Sequence, residues 1–342
     1  MLRHRHGIAT LEPHSISVPE SLVSVSVGTA MVLGLQRTCQ TDAPTTAYLM
    51  VGEHCSFHCT FCTQAQSSTA RSHFLSRVAW PPYPVDQALT AVADSFARGQ
   101  IVRCCLQVPV FPGYLQRTLT VARQLHSLCS IPINVSIVLS RLDDVHLLLA
   151  SGVERVSLAL DAACERVYLE AKGHDWAHRL DILRSAAERF PGRIGTHLIV
   201  GLGETEQDMA TRLQEMVDRQ VSVGLFAFTP VPGTAWATRP PPSLFSYRRI
   251  QAARYLLTTG ACRVEDLRFS PTGPILSYGL SRAELCARLA DGRAFQTAGC
   301  PGCNRPYYNE RPGRAMYNYP RRLYPEEVNA AISAVTAELA SA

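Results

Sequence analysis

The sequence has little of what marks secreted, membrane-spanning or nucleic-acid-binding chains. Charged side chains make up only 18% of its 342 residues, against roughly 25% in average soluble proteins, and no dense basic run with interleaved aromatic residues occurs. Residues 1–20 lack the apolar stretch of a secretory leader. The uncharged run 21–36 is shorter and richer in serine and glycine than a membrane span of about 20 apolar residues. We therefore expect a soluble, cytoplasmic protein with no nucleic-acid or membrane partner.

Hydrophobic residues and cysteines, by contrast, are well represented. The hydrophobic fraction of 46% is ample for a core, and the formal net charge of +5 is mild. Twelve cysteines in a long chain without a secretory leader indicate metal binding or catalysis rather than disulfides. Several of them lie in apolar patterns, where the default role is that of a small buried hydrophobic residue: Cys104, Cys105, Cys129, Cys164 and Cys286.

Short β-branched runs alternate with amphipathic stretches from Thr46 onward, a pattern typical of βα units around a parallel sheet. The predicted strands are residues 46–51, 101–108, 133–138, 155–160, 194–200 and 223–229. The predicted helices are residues 85–98, 115–129, 142–150, 177–190, 206–219 and 244–259. Six such units predict an α/β protein with a partial or full TIM-like (β/α) barrel; an open doubly wound sheet is the alternative. Barrel sites lie at the carboxyl ends of the strands, so the loops there are expected to carry the chemistry.

Three regions follow from this pattern. Residues 1–45 show no period and are predicted to be an irregular segment that contributes Cys39. Residues 46–260 are predicted to form the barrel. Residues 261–342, with a final helix at 325–340, are predicted to form a C-terminal extension that closes the barrel mouth.

The first predicted strand is followed directly by a C-x3-C-x2-C segment made of Cys55, Cys59 and Cys62. Three thiolates on one tight loop can hold three irons of a [4Fe–4S] cluster and leave the fourth iron open for a ligand. A vacant position is what distinguishes catalytic metal sites from structural ones. The alternative is a zinc site with His54 or His58 as the fourth ligand.

This spacing, with the aromatic Phe61 just before the third cysteine, resembles the radical S-adenosylmethionine (SAM) superfamily. The resemblance implies that SAM binds at the open iron and is cleaved to methionine and a 5′-deoxyadenosyl radical, which takes a hydrogen atom from the substrate. It gives Cys55, Cys59 and Cys62 a catalytic as well as a metal-binding role. The protein then orients and shields the cofactors.

Two segments resemble the parts of this superfamily that lie near the adenine of SAM. One is the run 199–205, in which Ile199, Gly201 and Glu204 match a G-x-I-x-G-x-x-E motif and His197 replaces its first glycine. Glycine there would let the backbone approach a flat base. The other follows the sixth strand and includes Pro230. An ordinary strand-to-helix turn and a proline-rigid turn are the alternatives.

Three further residues are candidates for the polar groups of SAM. By resemblance to biotin synthase, Asp161 is expected to contact the ribose and Arg179 to pair with the SAM carboxylate, for which an arginine fork is suited. Both could equally be ordinary surface charges. The Gly-Gly-Glu usual in this family after the second strand is absent, and Gln107 is the candidate there for the SAM amine.

A second cysteine pair, Cys300 and Cys303, forms a C-x2-C knuckle with proline and glycine between the thiols. Together with Cys39, these two cysteines are predicted to hold an auxiliary [4Fe–4S] cluster, and Cys262 is a reserve ligand. A zinc knuckle and a redox-active disulfide are the alternatives, although the βαβ context of a thioredoxin-like motif is missing.

The two cysteine groups, both expected at the barrel mouth, and the stretches 44–50, 62–71 and 300–312 resemble the two-protein lipoyl synthases. In that family two radical SAM paralogues share two sulfur insertions. The resemblance implies sulfur insertion into a protein-bound octanoyl chain, with the auxiliary cluster as sulfur donor and the first insertion, at C6, as this chain's step. It implies as partners an octanoylated lipoyl-carrier protein, the paralogous radical SAM protein and an electron donor of the ferredoxin or flavodoxin type.

This functional hypothesis has alternatives. The C-x4-C-x5-C triad and the C-terminal Arg-Ser-Ser-Tyr of single-protein lipoyl synthases are absent. Another radical SAM activity, such as biotin-synthase-like thiolation or methyl transfer, is open, as are an Fe–S electron carrier and a zinc-stabilised, non-enzymatic interaction protein. The octanoyl hypothesis requires an apolar tunnel, for which the candidates are Val108, Phe111, Phe226 and Phe228.

Overall fold

The computed structural model describes residues 21–38, 40–52, 54–71, 73–173, 175–310, 316–337 and 339. The strands in this part of the chain are β1 (Leu22–Val25), β2 (Thr46–Met50), β3 (Phe74–Leu75), β4 (Val78–Ala79), β5 (Pro82–Pro84), β6 (Arg103–Gln107), β7 (Ile133–Ile137), β8 (Arg155–Leu158), β9 (Ile194–Val200), β10 (Ser222–Ala227), β11 (Arg268–Phe269) and β12 (Ile275–Ser277). The helices are α1 (Val27–Val32), α2 (Val85–Ala97), α3 (Tyr114–Leu128), α4 (Leu142–Ala150), α5 (Glu165–Lys172), α6 (Trp176–Arg189), α7 (Glu206–Asp218), α8 (Leu244–Thr258), α9 (Arg282–Leu289) and α10 (Pro325–Thr336).

A sheet with the strand order β10-β9-β8-β7-β6-β2-β1-β5 forms the centre of the molecule. Strands β2 and β6 to β10 run parallel and are neighbours in chain order, whereas β1 pairs antiparallel with both β2 and β5. Parallel neighbours need a crossover between them, and α2, α3, α4, α6 and α7 lie in these crossovers. The predicted α/β fold with a partial TIM-like barrel is therefore confirmed.

Side chains alternate between two environments along each parallel strand. On β7, Ile133, Val135 and Ile137 lie in the hydrophobic core beneath the helices, and Asn134 lines the opposite side, the lumen of the barrel. This period of two is the geometry of any strand. The lumen is thus lined by the polar and small residues of the strands, which leaves room for a site.

The prediction of an irregular segment over residues 1–45 is wrong for residues 22–32, which form β1 and α1. Strand β1 forms because β2 offers it an edge, with Ser24 opposite Met50. Helix α1 begins after Ser26, whose hydroxyl accepts a hydrogen bond from the backbone N–H of Thr29 (3.4 Å). Because β1 is stabilised by pairing with a strand that is not adjacent in sequence, no periodic pattern within its own segment indicated it. Residues 1–20 lie outside the described part.

The loop 300–304 lies at the amino ends of the strands, opposite to the end expected for it. The hydroxyl of Thr45, just before β2, donates to a carbonyl of this loop (2.6 Å), and Arg103 Nε, at the start of β6, donates to another (3.1 Å). The expectation that Cys300 and Cys303 lie at the barrel mouth is therefore wrong. These bonds fix the loop as part of the floor of the lumen.

From this floor the chain runs up the open side of the barrel. Arg305 N donates to the hydroxyl of Tyr48 on β2 (3.1 Å), and the Arg305 guanidinium lies 3.8 Å from the ring centroid of Phe226 on β10. Further on, the Asn309 amide bonds both the N–H and the C=O of Ala227 on β10 (3.3 and 2.8 Å). The C-terminal extension therefore closes the gap between the first and last parallel strands.

None of the helices in the described part of the chain is long and apolar enough to span a membrane.

Candidate functional site

The loop after β2 carries the C-x3-C-x2-C segment and is held from several sides. It begins at Gly52, whose φ of +100° favours glycine and where a Cβ would lie 2.2 Å from the Phe111 ring. Cys55 N donates to Gln64 O (2.7 Å) and closes the loop on itself. The N–H of Thr60 donates to a carbonyl at the end of α5 (2.9 Å). The loop is thus fixed before any ligand binds.

The three thiols of this loop interact electrostatically with one another. Removal from solvent raises the pKa of Cys59 to about 11 and that of Cys62 to about 12, and neighbouring thiols add to both shifts. Cys55 Sγ accepts a hydrogen bond from the backbone N–H of Val110 (3.3 Å). Three sulfur ligands on one turn, with an N–H directed at one sulfur, fit an iron–sulfur cluster, whose binding displaces the thiol protons.

The structure places the only lysine of the chain beside this loop, a residue that our sequence reasoning missed. Lys172 ends α5, and its Nζ lies 2.7 Å from Asp161 Oδ2, 2.8 Å from Ala159 O and 3.5 Å from Leu160 O. Burial opposes the ammonium charge, but Asp161, Cys59 and Tyr168 together outweigh it and raise the pKa of Lys172. The positive charge in turn lowers the pKa of Cys59 against the effect of burial. A single lysine among 33 basic residues was the signal available in the sequence.

The two charged candidates for SAM contact lie on the same side of the barrel as the cysteine loop. Asp161, with φ of +67°, is fixed to β9: its N–H donates to His197 O and its C=O accepts from Ile199 N (both 2.8 Å). Arg179 donates to a carbonyl after β7 (2.8 Å), and its guanidinium lies 5.8 Å from the ring centroid of Phe57 in the cysteine loop. The structure thus brings both residues to the loop, and their roles toward SAM stay predictions.

The turn after β9 is organised by the chain itself. The Glu204 carboxylate accepts from the N–H groups of Gly201 (2.6 Å) and Leu202 (3.0 Å), while burial raises the pKa of Glu204. At Gly201, with φ of +97°, a Cβ would lie 2.8 Å from Pro242. Glycine is thus required there by the turn and by Pro242, and the role of Gly201 toward the adenine stays a prediction. Ile199 is half-buried against the core.

The other candidates for cofactor contact are scattered. Phe61 packs half-buried against the main hydrophobic core, and Pro230 is half-buried after β10. Gln107 turns into the lumen, where its Nε2 donates to Cys105 Sγ (3.0 Å). The structure therefore groups Gln107 with a different thiol from those of the cysteine loop, and its role toward the SAM amine stays a prediction.

A cavity of about 890 Å³ occupies the lumen above the floor. Polar strand residues form part of its wall, among them Asn134, Ser157 and Thr196, and the β3–β4 hairpin followed by Trp80 covers one side. His197 also lines it, and its removal from solvent lowers the pKa of the imidazole to about 4, so the ring is neutral at physiological pH.

Of the four residues expected to line an acyl tunnel, Phe226 lines this cavity. The expectation is wrong for the other three. Phe228 packs edge-on against Trp236 inside the core, Val108 is also part of the core, and Phe111 covers Gly52. Since side chains alternate along a strand, only every second residue of β10 can face the lumen.

Cys300 and Cys303 both line this cavity at its floor. Cys303 Sγ lies 3.3 Å from the hydroxyl of Tyr48. The proposed third ligand, Cys39, lies outside the described residues. The reserve ligand, Cys262, is buried in the main hydrophobic core and is not part of the cavity lining.

Tyr308 links the two cysteine groups across the cavity. Its ring packs edge-on against Phe226, with 5.2 Å between ring centroids. Burial is the main cause that raises the pKa of the phenol, and the thiols Cys62 and Cys105 both add to the shift. The tyrosine therefore lies within electrostatic range of the cysteine loop on one side and of the floor on the other.

Among the described residues, no group of three or more His, Cys, Asp or Glu side chains is arranged to hold a metal ion. A zinc site gathers its ligands around one ion, whereas in an iron–sulfur cluster each thiolate binds a different iron. His54 and His58, the candidates for a zinc ligand, are exposed.

Comparison with known proteins agrees with the cysteine loop and the fold. A model of the radical SAM superfamily matches residues 49–216. The [FeFe]-hydrogenase maturase HydG matches with a TM-score of 0.50 and 14% identity, over 62% of this chain and 50% of that chain. HydG from Carboxydothermus hydrogenoformans gives 0.50 and 18%, over 63% and 51%.

Methylornithine synthase gives a TM-score of 0.48 and 14% identity, over 60% of this chain and 59% of that chain. This chain thus matches only half to three fifths of the length of these structures, and at such identities the likeness concerns the fold alone. No curated protein matches the chain. The family match covers the cysteine loop that follows β2 and the neighbouring strands β6 to β9. Residues 49–216 therefore form a region of the radical SAM superfamily.

Proposed function

We propose that the chain inserts sulfur into an unactivated C–H bond of a protein-bound octanoyl chain during lipoyl cofactor biosynthesis. In this proposal it performs the insertion at C6, and a paralogous radical SAM protein performs the other. An octanoylated lipoyl-carrier protein supplies the substrate, and a donor of the ferredoxin or flavodoxin type supplies electrons.

The observation that carries the proposal is a single cavity that is lined by Cys300 and Cys303 and by Tyr308, which lies within electrostatic range of Cys62 in the cysteine loop. The volume of about 890 Å³ lies at the upper end of the roughly 300–1,000 Å³ of typical ligand sites. Tyr308 is within electrostatic range of both Cys62 and Cys105. A substrate carbon in this cavity would lie between the two cysteine groups.

The cofactors of the family supply the demanding chemistry: a [4Fe–4S] cluster with SAM generates a radical that removes hydrogen, and an auxiliary cluster would supply sulfide. The residues of this chain supply binding, orientation and the exclusion of water. Phe226, Trp80 and Val78 give the cavity apolar surface suited to an acyl chain. Residues of the segment 299–310 cover one side of the cavity.

The experiment that tests the proposal compares three proteins purified without oxygen: the wild type, Cys55/Cys59/Cys62→Ala and Cys300/Cys303→Ala. Iron and sulfide are measured in each, and each is incubated with SAM, dithionite and an octanoylated carrier peptide. The wild type is expected to hold two clusters, to cleave SAM and to add sulfur to the peptide, seen by mass spectrometry.

Each variant is expected to lose one cluster. Loss of Cys55, Cys59 and Cys62 should abolish SAM cleavage, whereas loss of Cys300 and Cys303 should preserve SAM cleavage and abolish sulfur addition. A wild type that holds a single cluster, retained without Cys300 and Cys303, would exclude sulfur insertion and leave another radical SAM activity.

A further inference from the structure

The thiol of Cys105 faces the same cavity as Cys300 and Cys303. Strand β6 carries two adjacent cysteines on opposite faces: Cys104 is buried in the main hydrophobic core, and Cys105 lines the lumen. Cys303 packs against a small cluster that contains Cys105 and Tyr48. Three thiols, from β6 and from the floor loop, thus meet at one end of the lumen.

The sulfur of Cys105 is surrounded by hydrogen-bond donors. Gln107 Nε2 lies 3.0 Å and Asn134 Nδ2 3.2 Å from Cys105 Sγ, and Asn134 is held in turn by the hydroxyl of Ser157 (3.0 Å). Two N–H groups directed at one sulfur stabilise a thiolate rather than a thiol. Such bonds to cysteine sulfur are typical around iron–sulfur clusters, where they tune the reduction potential.

Three arginines lie within electrostatic range of Cys300 at this end of the lumen. Arg103, Arg155 and Arg305 all lower the pKa of Cys300, against the larger effect of burial, which raises it. Arg155 Nε is buried and has no hydrogen-bond partner in the described part of the chain, although the other end of its guanidinium donates to Ser222 (2.8 Å). A buried donor without a partner is costly, and this one belongs to an arginine within electrostatic range of Cys300.

We propose that Cys105 is the third thiolate ligand of the auxiliary iron–sulfur cluster, with Cys300 and Cys303 as the other two. The cluster then occupies the floor of the lumen, where Arg155 and Arg305 offset its net negative charge, since Arg103 is already paired with Glu154. This inference rests on the auxiliary cluster of the proposed function and not on its substrate. Cys105, on β6, thus becomes the third cluster ligand, the role that we had expected for Cys39. The reserve ligand Cys262 is not needed, since it is buried elsewhere in the core.

The test uses the Cys55/Cys59/Cys62→Ala background, in which the auxiliary cluster is the only one left. Cys105→Ala, Cys104→Ala and Cys39→Ala are each added to it, and iron, sulfide and the electron paramagnetic resonance (EPR) spectrum of the reduced protein are measured. Cys104→Ala is the matched control, because it removes a buried thiol from the neighbouring position of the same strand. Circular dichroism and gel filtration report folding.

Cys105→Ala is expected to lose the cluster while its circular dichroism stays like that of Cys104→Ala, which keeps the cluster. If Cys105→Ala does not fold, Cys105→Ser decides: an oxygen ligand should shift the EPR spectrum, and an unchanged spectrum overturns the proposal. Full iron and sulfide in Cys105→Ala, or cluster loss in Cys39→Ala alone, also overturns it. Sulfur addition to the octanoyl peptide is scored separately, so failure of the substrate assignment leaves these cluster contents unchanged.

Discussion

The three hydrogen-bond acceptors around Lys172 favour a lysine over an arginine at this position. An ammonium has three donors, and here the Asp161 carboxylate and the carbonyls of Ala159 and Leu160 receive them. A guanidinium is a planar fork with five donors and does not fit the same three points. This gives a physical reason for a lysine at this position in a chain whose other basic residues are arginines.

We expect Lys172→Met to lower the free energy of unfolding by about 3 kcal/mol, because it leaves the Asp161 carboxylate largely buried without its partner. Arg141→Ala is the control, since the Arg141–Asp143 pair is exposed and such a pair contributes less than about 1 kcal/mol. Urea titration of the cluster-free proteins measures both changes. Equal losses in the two variants would contradict the role given to Lys172.

The same lysine offers a direct probe of the folded state. Because the Lys172 side chain is only 5% exposed and is the only lysine, amine-reactive acylation of the native protein should modify the terminal amine and leave Lys172 unmodified. Acylation in denaturant should modify both. Peptide mass spectrometry distinguishes these outcomes, and rapid modification of Lys172 in the native protein would show that it is not buried.

Among the elements, α7 and α8 are joined by a buried ion pair. Arg249 on α8 holds the Glu206 carboxylate with two nitrogens (2.7 to 3.1 Å), and both side chains are about 5% exposed. Glu206 also accepts from the N–H of Ile275 on β12 (2.8 Å). One carboxylate at the start of α7 thereby fixes two other elements behind the strands that form the lumen.

Removal of this carboxylate in Glu206→Ala should destabilise the protein by about 3–5 kcal/mol, since it leaves the Arg249 charge buried without its main partner. The matched control is Asp218→Ala, at the other end of α7, because the Asp218–Arg263 pair is exposed and contributes at most about 1 kcal/mol. Thermal unfolding of both variants gives the comparison. A control as unstable as Glu206→Ala would mean that helix α7 tolerates neither change and that burial is not the cause.

In the whole molecule, three parts of the chain that are distant in sequence enclose one lumen. The loop after β2 lies at the carboxyl ends of the strands, the loop 300–304 lies at their amino ends, and the segment between Arg305 and Asn309 seals the side. The seal includes bonds from the Asn309 side-chain amide to the main chain of β10, which would otherwise present an unpaired edge. The lumen therefore depends on these loops and this segment as well as on the parallel strands.

The thiols of the cluster-free protein make its stability depend on pH. Cys59 has a folded-state pKa of about 11, and Cys62 and Cys105 have values of about 12, whereas an unfolded thiol titrates near about 8.5. Above that pH the unfolded chain binds fewer protons than the folded chain, so stability falls as pH rises. The contribution is complete below about pH 8 and is lost progressively between about 9 and 12.

We therefore expect the urea midpoint of the cluster-free protein to be lower at pH 10 than at pH 7.5. Buried tyrosines such as Tyr308 act in the same direction, so the control is a variant with serine at Cys59, Cys62 and Cys105. Its midpoint should fall less over the same range. If the two proteins lose stability equally, the thiols are not the titrating groups.

Much of the fold and one end of the site could be predicted from local patterns. Six strands and six helices of the barrel were predicted with boundaries within two residues of those observed, because apolar side chains repeat with the period of each element. The C-x3-C-x2-C loop was recognisable because its three ligands lie within eight residues of sequence. Strand β1 and helix α5 were missed: β1 exists through its pairing with β2, and α5 is only a short helix.

The sequence by itself determined the βα repeat, the cysteine loop and the presence of a second cysteine pair, since each is a relation between neighbouring residues. Only the tertiary structure decided that this pair lies at the floor, because bonds from residues more than 190 positions away hold it there. Only the tertiary structure also decided that Cys105 faces the lumen. The alternation of side chains along a strand predicts that Cys104 and Cys105 face opposite ways, but the closure of the sheet around the lumen sets which of the two faces inward.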